Sequence, residues 1–159
     1  MKFDPAGKAD AELTDYWYIG PPNFPVTVEN ADVLLPYLPY FISGWDIRWA
    51  GSSIHAPPDV RVEGHADGTL RIVSGGAGAI DFSFDNPYDA ADGLASSLIG
   101  VHVARDPLSI CLFAGAAMID DGLVIFIEGP SAEKSGIALQ LAVLGCRFFG
   151  NDQIAVKAD

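Results

Sequence analysis

The sequence predicts an α/β chain, α+β overall, in which a β-rich N-terminal region precedes a partial α/β core. Three observations predict it. Seventeen Gly and eleven Pro punctuate the 159 residues, which favours short strands and turns over a helical bundle. Segments that alternate apolar and polar residues fill much of the first two thirds, and a strand, turn, helix, strand order fills the last third. Apolar residues make up 50% and charged residues 19%, the reverse of a disordered chain, so the bulk is expected to fold.

Taken in order, residues 1–15 are polar and mixed and read as a tail. Tyr16-Trp17-Tyr18-Ile19 reads as a strand stopped by Gly20-Pro21-Pro22, and Val26-Thr27-Val28 reads as another. Residues 32–49 are rich in Leu, Tyr, Phe and Trp. Pro36 and Pro39 deny them a long helix, so the expectation is a broken helical turn and then a strand at 46–49. Residues 60–63 and 69–73 alternate around Gly64-His65-Ala66-Asp67-Gly68, a hairpin with one wet face. Residues 79–84 form a further alternating strand. Asn86-Pro87 or Asp89 then opens a helix from about residue 90 to 103, with Leu94, Leu98, Val101 and Val103 near one face. These elements make up a region 16–108. In the remainder, 109–159, residues 109–114 read as an apolar strand and Asp120-Asp121-Gly122 as a turn. Leu123-Val124-Ile125-Phe126-Ile127 is a continuous apolar run, the pattern of a strand covered on both faces. Gly129-Pro130-Ser131 breaks it. A helix follows to Leu144, with Ile137, Leu141 and Leu144 at core spacing and Gly145 where a C-terminal cap belongs. Strands at 146–149 and 154–156 bracket Asn151-Asp152.

Charge narrows the function classes. Nine basic against 21 acidic residues give a net charge of −12. Such a surface repels phosphate backbones and anionic lipid, which argues against nucleic-acid binding and membrane docking. No stretch approaches the ~20 apolar residues of a membrane span, and Met1-Lys2-Phe3-Asp4-Pro5 lacks the pattern of a signal peptide. Cys111 and Cys146 are too few for a disulfide framework or a metal site of their own, so a cytoplasmic location is the expectation. From Gly129 onward Lys134, Arg147 and Lys157 balance Glu133, Asp152 and Asp159, so the whole excess lies in residues 1–128.

The order strand, Gly turn, helix, strand, acidic residue is that of a phosphate-binding βαβ unit. In a P-loop, glycines let backbone N–H groups curl around phosphate, a Lys reaches the terminal phosphates and a hydroxyl binds Mg²⁺. Here the loop reads Gly129-Pro130-Ser131-Ala132-Glu133-Lys134-Ser135. It is one residue short, and Glu133 stands where a glycine precedes the Lys.

The segments Leu112-Phe113-Ala114-Gly115-Ala116, Ile119-Asp120-Asp121-Gly122, Gly129-Pro130-Ser131, Lys134-Ser135, Leu144-Gly145-Cys146-Arg147-Phe148 and Asn151-Asp152-Gln153-Ile154-Ala155-Val156 resemble the nucleotide-binding core of the HPr kinase/phosphorylase family, and within it the diverse bacterial relatives with an upstream β-rich region. The resemblance covers residues 109–157. It implies a P-loop kinase-like βαβ core in which Gly129 and Ser131 line an ATP loop, Lys134 meets phosphate and Ser135 meets Mg²⁺. It also implies that Asp152 is the second acid of a pair that handles metal or proton. The departures are specific. A Glu133 carboxylate beside phosphates costs several kcal/mol on a Coulomb scale of about 332/(εr), and the lost glycine removes access to positive φ. Asn151 is neutral where the family has an acid, and Phe113 stands where it often has a His. The chain ends at Asp159, where the family's core continues. Phosphoryl transfer is mostly positioning and charge stabilisation. The expectation is therefore a degenerate, truncated pseudokinase kept as a binding or structural subunit, with no cofactor. The alternative is an ATP- and Mg-dependent serine kinase or phosphorylase acting on a small carrier protein or peptide.

Plainer readings stand beside these. Lys134 and Ser135 suit a solvated first helical turn with Ser as a cap, and Asp152 suits a turn after a strand. Asp120 and Asp121 suit a hairpin turn. His55, His65 and His102 are too scattered for a Ser-His-Asp arrangement, and Cys111 and Cys146 read as small core residues. The aromatic stretch 34–49 is either core or a partner-binding patch. A mean hydropathy of +0.25 and an uncovered sheet edge favour a protein partner or self-association.

Overall fold

The computed structural model describes residues 14–42, 44–53, 56–75, 79–106, 108–127, 133–150 and 154–157. They form a mixed α+β fold. Six strands make the larger sheet: β1 (Tyr16–Gly20), β2 (Val26–Glu29), β3 (Asp46–Gly51), β4 (Val60–Gly64), β5 (Leu70–Ser74) and β6 (Asp81–Phe84). Their order is β3-β1-β2-β4-β5-β6. Every pairing is antiparallel except that of β2 with β4. Alternation puts Val26 and Val28, Val60 and Val62, and Ile72 on one face, all essentially buried. That face is covered by α1 (Pro87–Arg105), which contributes Ala90, Ala91, Leu94 and Leu98 to the same core. Asn86 caps α1 by accepting the Asp89 N–H at 2.9 Å, and Pro87 supplies the fixed φ of a first helical position. Leu34 and Leu38, the latter opening a 3-10 turn at Leu38–Tyr40, close one side of the core.

The opposite face of the sheet is wet, as the alternation requires. It carries a ladder of opposite charges across four strands. Asp81 holds Arg71 at 2.7 Å, Arg71 reaches Glu63 at 3.2 Å, Glu63 faces Arg61 at 3.9 Å, and Arg61 holds Glu29 at 2.8 Å.

The remaining elements form two small sheets. In one, β8 (Gly115–Ile119) lies between β9 (Gly122–Phe126) and β10 (Arg147–Gly150), antiparallel to both. In the other, β7 (Ser109–Leu112) pairs antiparallel with β11 (Ile154–Lys157). The second helix, α2 (Glu133–Val143), packs on β8 and β10. Its end is a Schellman motif. Gly145 adopts φ +82, its N–H bonds to the Ala142 carbonyl, and the Cys146 N–H bonds to the Leu141 carbonyl, both at 3.0 Å.

Five expectations are corrected. The run 123–127 is not a strand covered on both faces. It forms an edge strand whose Leu123 and Val124 are 52% and 41% exposed, because α2 lies over β8 and β10 instead. The core spacing in α2 does not become burial, since Ile137 and Leu144 are exposed and only Leu141 is half-buried. The apolar strand at 109–114 ends at Leu112, and a separate strand that sequence reading missed, β8, begins at Gly115. Cys111 and Cys146 are free and half-buried rather than core residues. Asp15, read as part of a tail, is tied to the sheet: its carboxylate accepts from the Trp49 indole at 3.1 Å and its carbonyl from the Asn30 N–H at 2.8 Å.

Candidate functional site

The residues predicted to meet a nucleotide lie around α2. Lys134 and Ser135 occupy its first turn, whereas Gly129, Ser131, Asn151 and Asp152 lie outside the described residues. The strands on either side of the loop are placed by register. Phe126 of β9 pairs with Gly115, and Gly150 of β10 pairs with Ala116, the next residue of β8. Since both strands run antiparallel to β8, they run parallel to each other, and the chain leaves both at the same end of the sheet. The two strands are not neighbours, as β8 separates them. Helix N-termini favour negative charge, and α2 begins at Glu133. Among the described residues no group of three or more His, Cys, Asp or Glu could hold a metal ion.

A separate cavity of about 620 Å³ lies between the C-terminal half of α1 and the ends of β4 and β5. Ser97, Gly100, Val101 and Ala104 form its helical wall, facing Pro57, Pro58 and Ile80. Its polar groups are engaged. The buried Ser97 hydroxyl donates to the Gly93 carbonyl at 2.8 Å, and the Ser74 hydroxyl accepts the Ile80 N–H at 3.1 Å. Arg105 forms an ion pair with Asp59, whose other oxygen accepts the Thr27 N–H at 2.8 Å. Asp59 thereby links the parallel joint between β2 and β4 to the end of α1. Sequence reading did not single out Asp59 or Arg105. They are 46 residues apart, and nothing local marks them as partners.

His65 and His102 are the described histidines. His65 is exposed in the turn between β4 and β5, and His55 lies outside the described residues. His102 packs edge-on against Trp45 at 5.5 Å and Phe24 at 6.5 Å, and its buried Nδ1 has no hydrogen-bond partner. Burial pushes the Cys111 thiol up from its ordinary value, which makes it a poor nucleophile.

The aromatic stretch divides between the two roles expected of it. Leu34 and Leu38 are core, with Tyr37, Phe41 and Trp45 packed against them, while Tyr40 and Trp49 are 76% and 60% exposed. Further apolar side chains are exposed in the last third of the chain. Leu123, Val124 and Ile127 in and after β9 are exposed, as are Ile137, Val143 and Leu144 in and after α2. No helix among the described residues is long and apolar enough to cross a membrane.

Comparison of the chain with family models, with curated proteins and with solved structures finds no match.

Proposed function

We propose that this chain is a non-catalytic relative of the HPr kinase/phosphorylase family that serves as a binding or structural subunit of a protein complex. The observation that carries the reading is the exposure of large apolar side chains on β9 and on α2. Large side chains that a self-sufficient domain would bury, Leu123, Ile127, Val143 and Leu144 among them, are 52–79% exposed. Apolar surface of this kind gains roughly 25 cal/mol per Å² when a partner covers it. The loop chemistry supports the non-catalytic half. A triphosphate needs a ring of N–H donors and a cation at its end, and the shortened loop sets Glu133 next to Lys134. A Glu at the first position of α2 adds negative charge to the end of the helix that would otherwise favour a phosphate.

One observation favours a second reading, an ATP-dependent serine kinase or phosphorylase acting on a small carrier protein or peptide. The strands that lead into the loop and into Asn151-Asp152 end side by side across β8, and open α/β sheets bind ligands beyond such strand ends. On that reading Lys134 would hold phosphate, and Ser135 and Asp152 would hold Mg²⁺. Calorimetric titration of the full chain with Mg-ATP separates the two. The expected outcome is no saturable heat. Saturable binding that disappears in Lys134→Ala would overturn the non-catalytic reading.

A further inference from the structure

We infer that the free edge of β9 accepts an extended apolar strand from a partner protein, and that the partner's end beside the Asp120-Asp121 turn carries lysine or arginine. The inference rests on the binding-subunit reading and deepens it by naming the partner's chemistry.

Among the described residues β9 is hydrogen-bonded on one side only, to β8, in a register that runs unbroken from Gly115↔Phe126 to Ile119↔Gly122. No strand among the described residues pairs with the row of backbone donors and acceptors on its other side. Proteins blunt such edges with charges, prolines or bulges. The other edges of the two larger sheets are treated in this way. β3 carries Asp46 and Arg48, β6 carries Asp81, and β10 begins with Arg147 and is bulged between Phe148 and Gly150. β9, Gly-Leu-Val-Ile-Phe, has no charge, no proline and no bulge. Leu123 and Val124 point to opposite faces, and both are exposed. A strand laid alongside would therefore meet apolar side chains on both of its faces. Main-chain hydrogen bonds would supply affinity, and the flanking side chains would supply selectivity.

Charge decides the kind of occupant. The turn that opens β9 presents two carboxylates, Asp120 and Asp121, with Asp120 held at φ +52, and the whole chain carries −12. A second copy would bring another acidic body against this one. A strand ending in Lys or Arg would instead place opposite charge at the turn, an attraction that salt weakens.

The test uses the full chain and fluorescein-labelled synthetic peptides of alternating Val and Ile, apolar on both faces. One peptide ends in two lysines, and its counterpart ends in two glutamates. Fluorescence anisotropy should show saturable binding of the Lys-ended peptide, several-fold weaker at about 0.3 M salt than at about 0.05 M. Asp120→Asn with Asp121→Asn should remove the preference for the Lys-ended peptide. Leu123→Lys should abolish binding of both while the melting temperature by circular dichroism stays close to that of the parent. Where that variant melts early, the double Asn variant decides. Equal binding of the two peptides, no saturable binding of either, or light scattering that shows a dimer lost on Leu123→Lys would overturn the inference. Failure here with no Mg-ATP binding leaves the binding-subunit reading standing with another surface in use. Mg-ATP binding that is lost in Lys134→Ala refutes that reading whatever the peptides do.

Discussion

Asp106 closes α1 and fastens it to both strands of the smallest sheet. Its backbone N–H bonds to the Val103 carbonyl at 3.2 Å, and its carboxylate accepts the Leu108 N–H at 3.1 Å and the Ser109 hydroxyl at 3.0 Å. The Lys157 ammonium completes the set at 2.9 Å. These partners, Lys157 first, hold the Asp106 carboxyl below its ordinary pKa. A carboxylate with a depressed folded pKa contributes stability that is fully present above the unfolded value of about 3.9 and is lost as pH falls through the lower folded value. Asp106→Asn should therefore lower the melting temperature at neutral pH and shrink its gap from the parent as pH drops below about 4. A gap that stays constant through that range would show that Asp106 acts by shape alone. Little of this was legible beforehand. Asp106 precedes Pro107 and looks like one turn acid among many. Its role depends on Lys157, 51 positions away, which only the pairing of β7 with β11 brings near. Asp152, by contrast, stood out through its position after a strand and lies outside the described residues.

At the scale of elements, the N-terminal region was largely readable. Period-2 alternation in β4 and β5 and the Gly-bounded turn between them reappear as predicted, because each hairpin carries its own pairing instructions within a few residues. Helix α1 was also legible from Asn86-Pro87 and the spacing of Leu94 and Leu98, though it runs on to Arg105. Leu94 is fully buried against the sheet, and Leu94→Ala should cost about 2–5 kcal/mol, measurable as a shift in the urea midpoint. A loss below about 1 kcal/mol would mean that the core there collapses around the gap or that α1 contributes little. The last third was less legible. Apolar runs are expected to be buried, but burial depends on what lies opposite, and nothing among the described residues covers the outer side of β9. The Schellman end of α2 was readable because it is set locally by Gly145.

The whole molecule is governed by its charge, which was fully readable. A net charge of −12 makes the folded state repel itself. The ladder from Asp81 to Glu29 offsets only part of this, since exposed pairs contribute about 0–1 kcal/mol each. Raising salt from about 0.01 M to about 0.15 M shortens the screening length from roughly 30 Å to about 8 Å. The melting temperature at neutral pH should rise over that range. A fall would mean that the attractive pairs outweigh the repulsion. Strand order was the part of the global fold that the sequence hid, because it is decided by contacts between residues far apart in the chain. The one parallel joint among the described residues, β2 beside β4, is such a contact: Val28 meets Val60 and Glu29 meets Arg61 across a connection that includes β3. On one side of it β1 closes on β2 by a short turn, and on the other β4, β5 and β6 form a meander. Each half can assemble from neighbouring segments, but their union needs a long loop to close first. Joining the two parts of the large sheet carries that loop-closure cost, and Asp59, bonded to Thr27 through both its backbone and its side chain, is the latch that fastens them.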